Sequence, residues 1–468
     1  MKRFPRNVLS LSVSDVVGRF LGFLAVAYLA RTLGTTGMGL LAVGMAILAY
    51  ASIFADAGLP ILGTRYAAGN TGIPRTLVKK IFSSRILLTV AVLAMGIFIL
   101  SILVKDSTTR LIATLYLVSL IPSALFLDWL FQGLNRMVTL SVGRIVGMAT
   151  YLLFVVLFVS EQGNIALVPL GWIGGNAAQA LYLWIAYLKI DQKSLEPDPS
   201  PQGLVGLVRE GIPLAVATLI AQVVVQFPFI YLGFFDSTSN TGLYSVAFRV
   251  IVLLLAVDRV FYTIFFPAIR RSFKRGEDHL RQRFERTFRL VTSGTLYLGT
   301  LAILAGDYVF PVIFGADFTE SSIIFQLLVV YFVLTVINST LTFTLIAAEK
   351  ELTYTRSLGA GAIGFFAIML LPVPLPPTLL APIALAIFQA ISLMIMIRGV
   401  QEITPVSTWR ALFLPVAATI VLVAILTPWQ HNNPILAFVF ALVVALPVLT
   451  ITAGVNRDDL SYLKRRVV

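Results

Sequence analysis

Long apolar stretches, each close to the length of a bilayer-spanning helix, follow one another along 468 residues. They lie near 8–30, 39–63, 81–104, 111–133, 138–159, 165–188, 210–233, 242–267, 287–310, 321–346, 355–373, 377–397, 411–428 and 434–454. A hydrocarbon core of about 30 Å takes ~20 helical residues. No water is there to bond an open backbone, so such stretches must close their hydrogen bonds internally, as helices. Strand alternation is not evident, which argues against an outer-membrane barrel. The chain is 58% hydrophobic and 12% charged, with mean hydropathy +0.92, far more apolar than a soluble domain requires. The expected fold class is an all-α membrane protein of about 14 transmembrane helices.

The net charge of +13 is a topology signal rather than a nucleic-acid footprint. Of 35 Lys and Arg, 29 fall in or beside the termini and every second connection. Arg31, Lys105 and Arg110 lie on the opposite side, and Arg19, Arg249 and Arg259 fall inside spans. The positive-inside rule places both termini in the cytoplasm of a multi-pass cell (inner or plasma) membrane protein. Anionic lipid headgroups are the expected partners of the basic loops, and no nucleic acid is expected. The start, Met1–Arg6, resembles a signal-peptide n-region, but the long segment after it carries Asp15 and Arg19 and reads as a retained first helix. The charged stretch Arg270–Arg289 reads as a cytoplasmic loop with an amphipathic, lipid-touching or solvated part.

An internal echo organises the array. Tyr28-Leu29, Thr35, Gly39-Leu40 and Val43 recur as Tyr231-Leu232, Thr238, Gly242-Leu243 and Val246, always 203 residues later. The polar, proline-rich stretch near Glu196–Pro201 separates the copies. The expected domains are an N-lobe at 1–188, a cytoplasmic linker at 189–206, a C-lobe at 207–400, and two further helices with a basic tail at 401–468. Six helices per lobe is an even number, so the repeat is parallel and its pseudo-twofold axis runs along the membrane normal. Two pseudo-symmetric six-helix lobes around a central cavity follow. Gly34, Gly37 and Gly39 read as a tight outer turn between the first two helices.

Charges inside a membrane are costly and face protein or water. Asp15 and Arg19 are four apart on one helix face, and Arg19 falls near mid-membrane. They read either as an internal ion pair that fixes packing or as cavity groups that bind an anion. The echo maps them to Thr218 and Gln222, with Gln226 one turn further on. A shared polar cavity accounts for both stripes. Asp56 and Asp128 sit near cytoplasmic helix ends, with Arg85 and Arg144 at similar depth as pairing partners. Asp15, Asp56, Asp128 and Asp258 are candidates for coupling or gating. Asn176, Gln179, Asn338 and Gln389 read as interhelical hydrogen-bonding residues. With no cysteine and two histidines in predicted loops on opposite sides, neither a metal site nor a nucleophilic triad is expected, and no cofactor.

Several motifs carry a resemblance. Ala30-Arg-Thr-Leu-Gly34 with Gly39-Leu40, Asp56-Ala-Gly58, Asp128-Trp-Leu-Phe-Gln-Gly133, Gly242-Leu-Tyr-Ser-Val-Ala-Phe-Arg249 and Val312-Ile-Phe-Gly315 with Ser321-Ser-Ile-Ile-Phe-Gln326 resemble the oligosaccharide flippases of the polysaccharide transporter (Wzx-like) family. That family belongs to the MOP superfamily, with the MATE exporters and the lipid II flippase. The resemblance runs to about residue 400. It implies alternating access by two lobes and a sugar substrate on polyprenyl pyrophosphate. It also implies headgroup binding by cavity arginines, which Arg19, Arg249 and Arg259 match. Surface-polysaccharide polymerases and glycosyltransferases would be the functional partners. Coupling to H+ or Na+ is an alternative to drive by the membrane potential. Rival readings are a MATE-type cation-drug antiporter and a non-transporting scaffold of an export complex. No large exposed catalytic loop is found, so an enzyme is not expected.

Overall fold

The computed structural model describes residues 3–68, 75–190, 204–273, 276–405 and 408–455. Among the described residues there is no strand; helices joined by short turns account for them. The first part comprises α1 (Arg3–Asp56), α2 (Leu59–Ala67), α3 (Arg75–Leu103), α4 (Ser107–Val118), α5 (Leu120–Ala124), α6 (Asp128–Gly133), α7 (Met137–Phe158), α8 (Leu167–Leu188) and α9 (Leu204–Phe235). Then come α10 (Thr238–Leu254), α11 (Ala256–Phe273), α12 (Glu277–Phe314), α13 (Ser321–Ala347), α14 (Glu351–Leu370), α15 (Pro377–Gln401), α16 (Thr408–Asn432) and α17 (Pro434–Thr452).

Among the described residues, seven helices are long and apolar enough to cross a bilayer, and three shorter apolar helices accompany them. α3 shows what solvent the fold expects. Its most apolar window has mean hydropathy 2.9, yet only 11% of that window is buried. Leu87, Val90 and Ile102 are all more than half exposed. In water this face would carry a large hydrophobic penalty; against lipid tails it carries none. The chain is therefore a multi-pass, all-helical membrane protein.

Two compact units divide between Val246 and Ala247. The first gathers α1–α9 and the opening turns of α10, so α9 packs on α1, α2 and α3. The lobes expected at 1–188, 207–400 and 401–468 are a proposal about the repeat, whereas the compact units follow contacts. Most of the linker expected at 189–206 lies outside the described residues.

In the first unit, α1 is two helical arms meeting at Gly34, whose φ of 65° and ψ of −171° suit a residue without Cβ. The expected outer turn is thus a one-residue kink, and Gly37 and Gly39 lie inside the second arm. That arm ends at Asp56 because Ala57 (φ 44°) and Gly58 (φ 74°) are both left-handed. The span expected at 111–133 is broken into α4, α5 and α6. Pro122 withholds one backbone donor there, and the chain leaves helical geometry before Asp128. The core beneath the break is Leu59, Leu62, Leu77, Ile81, Trp129, Phe131 and Leu183.

In the second unit, the charged stretch proves to be helical from Glu277, continuous with a membrane span through Phe314. Leu280, Phe284 and Phe288 recur every four residues and are buried against Ile337, Leu341, Leu345 and Ile397. The apolar face expected to touch lipid is therefore covered by protein. On the other face, Arg281 and Glu285 form an i, i+4 pair at 3.2 Å. α16 and α17 pack along α12, with Tyr297 donating to the Leu442 carbonyl (3.0 Å) and Ser293 to that of Leu449 (3.3 Å). Between α13 and α15, Asn338 Nδ2 donates to Gln389 Oε1 at 2.6 Å and to its carbonyl at 2.9 Å. Asn338→Ala should therefore lower stability by about 1 kcal/mol, the usual scale of an interhelical hydrogen bond in a bilayer. The midpoint of thermal unfolding in detergent measures it, and an unchanged midpoint would show that the pair contributes nothing.

Candidate functional site

Within the first unit α9 packs on α1, with Val43 and Tyr50 of the second α1 arm at the contact. Arg19 is half-buried on the first arm of α1. Gln222 and Gln226 are half-buried on α9, one turn apart. Gly233 lies seven residues beyond Gln226, hence on the same face, and packs against Val43 of the second α1 arm. The Tyr50 hydroxyl donates to the Val223 carbonyl at 2.9 Å, closing the same pair of helices deeper in. The face of α9 that carries the glutamines is thus the one that meets the second α1 arm at Gly233. Asp15 and Thr218 lie on described helix, but their side chains fall outside the described residues, as does that of Arg259.

The first unit also brings the expected carboxylates to arginines. Arg85 on α3 grips Asp56 Oδ1 through Nη2 (2.7 Å) and Nε (3.1 Å). The same guanidinium donates from Nη1 to the Phe126 carbonyl (3.0 Å) and from Nη2 to the Ser123 carbonyl (3.0 Å). Both carbonyls lie at the break between α5 and α6, and that of Ser123 also accepts from the Phe126 amide at 3.1 Å. The planar fork of Arg suits this task, because one side chain can reach a carboxylate and two backbone acceptors together. Arg85 is 6% exposed and Asp56 42%, so the cation is buried while its partner stays wetted. Asp128, at the first turn of α6, accepts from Arg144 Nη2 (3.2 Å) and Nε (3.3 Å), and from Gln179 Nε2 (3.1 Å). Sequence depth suggested both ion pairs. It did not suggest that Arg85 also clamps the broken helix, and Pro122 was the signal that could have.

In the second unit, Arg249 is half-buried on α10. Asp258, near the start of α11, accepts a hydrogen bond from Ser339 on α13 at 2.9 Å through Oδ2. Its Oδ1 is buried with no hydrogen-bond partner among the described residues. A carboxylate with one open oxygen differs chemically from the arginine-bound Asp56 and Asp128: it can accept a proton or a small cation without first losing a partner. Ser339 was not singled out from sequence, because serine is common in membrane helices and carries no spacing signal.

The model of polysaccharide biosynthesis proteins matches residues 4–273, more than half of the chain. The chain belongs to the polysaccharide biosynthesis protein family. No curated protein matches this family member. Its fold is similar to that of the lipid II flippase MurJ in an inward closed conformation, with TM-score 0.74 and 13% identity over 96% of this chain and 99% of that one. It is also similar to an inward-facing MATE multidrug transporter of the MOP superfamily: TM-score 0.67, 14% identity, 85% of this chain and 98% of that one. A third similar structure is a MOP transporter from Pyrococcus furiosus with a reported reverse polarity of its binding pocket: TM-score 0.57, 14% identity, 85% and 95%. The resemblance drawn from the motifs therefore holds for the family, and the fold is similar to those of the lipid II flippase and the MATE transporter. This polysaccharide biosynthesis family protein is a multi-pass membrane protein with a transporter fold.

Proposed function

We propose that the protein is a lipid-linked oligosaccharide flippase. It moves polyprenyl-pyrophosphate glycans from the cytoplasmic to the outer leaflet of the cell membrane by alternating access, for surface polysaccharide assembly. The observation that supports this reading is the polysaccharide biosynthesis family match, joined to a half-buried Arg19 on α1 and half-buried Gln222 and Gln226 on α9, which packs on α1. An unpaired phosphate in hydrocarbon faces a cost of tens of kcal/mol. An arginine reduces it by bidentate bonding to phosphate, and amides supply neutral hydrogen bonds to sugar hydroxyls. The lipid tail stays in the bilayer. Arg249 and Arg259 are proposed as further phosphate contacts, and Thr218 as a polar contact. Both termini are proposed to be cytoplasmic.

The test is flipping of a labelled polyprenyl-pyrophosphate glycan in proteoliposomes, read by its accessibility to an impermeant glycosidase. Protein-free vesicle rates from active, oriented protein would sink the proposal. An inside-negative potential should favour outward movement of the headgroup by ~2.3 kcal/mol per charge per 100 mV. That corresponds to about a 50-fold bias in leaflet ratio per charge. A leaflet ratio indifferent to an imposed potential would instead favour ion coupling, for which Asp258 is the proposed H+ or Na+ acceptor. The open Asp258 oxygen also favours a second reading, a MATE-type cation antiporter. Export of a cationic dye against a proton or sodium gradient, without glycan flipping, would establish it.

A further inference from the structure

The echo residues do more than mark a duplication: they touch each other. Within the first unit, a Cβ added at Gly39 would overlap the Thr238 carbonyl oxygen and stand 3.1 Å from the Gly242 amide nitrogen. A Cβ added at Gly242 would overlap the Thr35 carbonyl oxygen and stand 3.1 Å from the Gly39 amide nitrogen. Thr35 and Thr238 are echo partners, and so are Gly39 and Gly242. Residue i meets j while j's counterpart meets i's counterpart, with equal spacing. That reciprocity is the signature of a twofold axis passing through the contact. Both glycines sit in ordinary helical backbone, so their small size serves close approach rather than an unusual φ. Backbone against backbone leaves no room for water or a solute to pass.

The contact continues as a seam. Ser239 Oγ donates to Thr35 Oγ1 at 2.8 Å at the top, Val43 fills the notch at Gly233, and Tyr50 bonds the Val223 carbonyl below. We infer that this glycine dyad, with the Thr35–Ser239 bond, is the outer gate of the transport path, and that it must part once in every cycle. Three observations support a gate over permanent packing. The seam joins α9 and α10 to the second arm of α1, which continues through the Gly34 kink from the arm that carries Arg19. No ion pair and no interdigitated aromatic crosses the dyad among its described contacts; neutral hydrogen bonds and glycine faces hold it, which makes it inexpensive to separate. And the contact joins one copy of the repeat to the other across the axis, so any motion that tilts the two copies apart at this end must part it. The Arg85 and Arg144 clamps, by contrast, each lie within one copy of the repeat and can stay intact through the cycle.

The inference rests on the flippase reading, and its test separates the two. The natural chain contains no cysteine, so Thr35→Cys/Ser239→Cys adds two thiols and nothing else reactive toward maleimide or disulfide chemistry. Oxidation should form the cross-link, reduce flipping to the level of protein-free vesicles, and release it again on reduction. Each single variant should be indifferent to the oxidant. A cross-linked protein that flips at the reduced rate overturns the gate, because the contact would then be permanent packing. Failure to cross-link overturns the proximity itself.

A second measurement needs no substrate. In a Ser239→Cys background, Gly39→Ala or Gly242→Ala should wedge the seam and speed labelling by a membrane-impermeant maleimide from outside. Ala42→Ser, on the same arm, serves as the control. Unchanged labelling in both glycine variants overturns the gate. If wild type and the reduced double variant both fail to flip the glycan, the flippase reading falls while the labelling still decides the seam.

Discussion

Arg19→Ala is expected to lower flipping in proteoliposomes by about two orders of magnitude or more while leaving protein abundance near wild type. Truncating one partner of a desolvated charged contact costs about 2–5 kcal/mol, and each 1.4 kcal/mol is tenfold. Arg19 is half-buried near the middle of a membrane helix, where a cation is retained only when it has a task. Arg19→Lys keeps the charge but loses the fork, so an intermediate loss of about tenfold is expected. Two controls sharpen the result. Gln222→Leu should weaken flipping less than Arg19→Ala, because it removes a neutral hydrogen bond rather than a charge. Gln226→Glu should weaken it by placing a like charge near the pyrophosphate. Wild-type flipping by Arg19→Ala would mean that this arginine serves packing alone, the ion-pair alternative with Asp15.

Arg85→Ala is expected to have the largest effect on stability in the first unit. The substitution leaves Asp56 without its cation and strips two bonds from the carbonyls of Ser123 and Phe126 at the helix break. Breaking a buried pair costs about 3–5 kcal/mol. Asp56 is 42% exposed, so water recovers part of its share and the low end of that range applies to the ion pair. The Phe126 carbonyl, which loses its donor, adds about 1 kcal/mol or more. The measurement is the inactivation half-life in detergent at fixed temperature, since large membrane proteins seldom unfold reversibly. Asp56→Asn should cost less than Arg85→Ala, because it leaves the carbonyl contacts in place. Adding Asp56→Asn to Arg85→Ala should restore only the ionic part. Equal half-lives for Arg85→Ala and wild type would show that the helix break does not depend on this clamp.

The same residues show what could be read in advance. The placement of many spans was legible because each helix must carry its own hydrophobic length; α7, α8 and α15 begin and end within a few residues of the apolar runs. The depth of Asp56, Arg85, Asp128 and Arg144 followed from counting 1.5 Å per residue along those runs. The breaks were harder. The span at 111–133 is apolar throughout, and hydropathy does not register a helix that interrupts itself and hands its carbonyls to a neighbour's guanidinium. The charged segment before α12 misled for a related reason. Its Leu280, Phe284 and Phe288 stripe is equally suited to lipid and to protein, and only the position of α13 and α15 shows which of them covers it.

By itself the sequence determined the solvent, the class of element, and the family, because hydrocarbon imposes length, apolarity and internal backbone bonding on every span. It also carried the echo, since six identities at one offset are a one-dimensional fact. The tertiary structure alone decided that the two copies meet at their own matched glycines, that the α9 face carrying the glutamines meets the second arm of α1, and that Asp258 is held by a serine while Asp56 and Asp128 are held by arginines. The physical reason is that pairing across helices depends on rotation and close approach. Apolar helices in lipid place almost no constraint on either until small residues and a few polar groups find their partners.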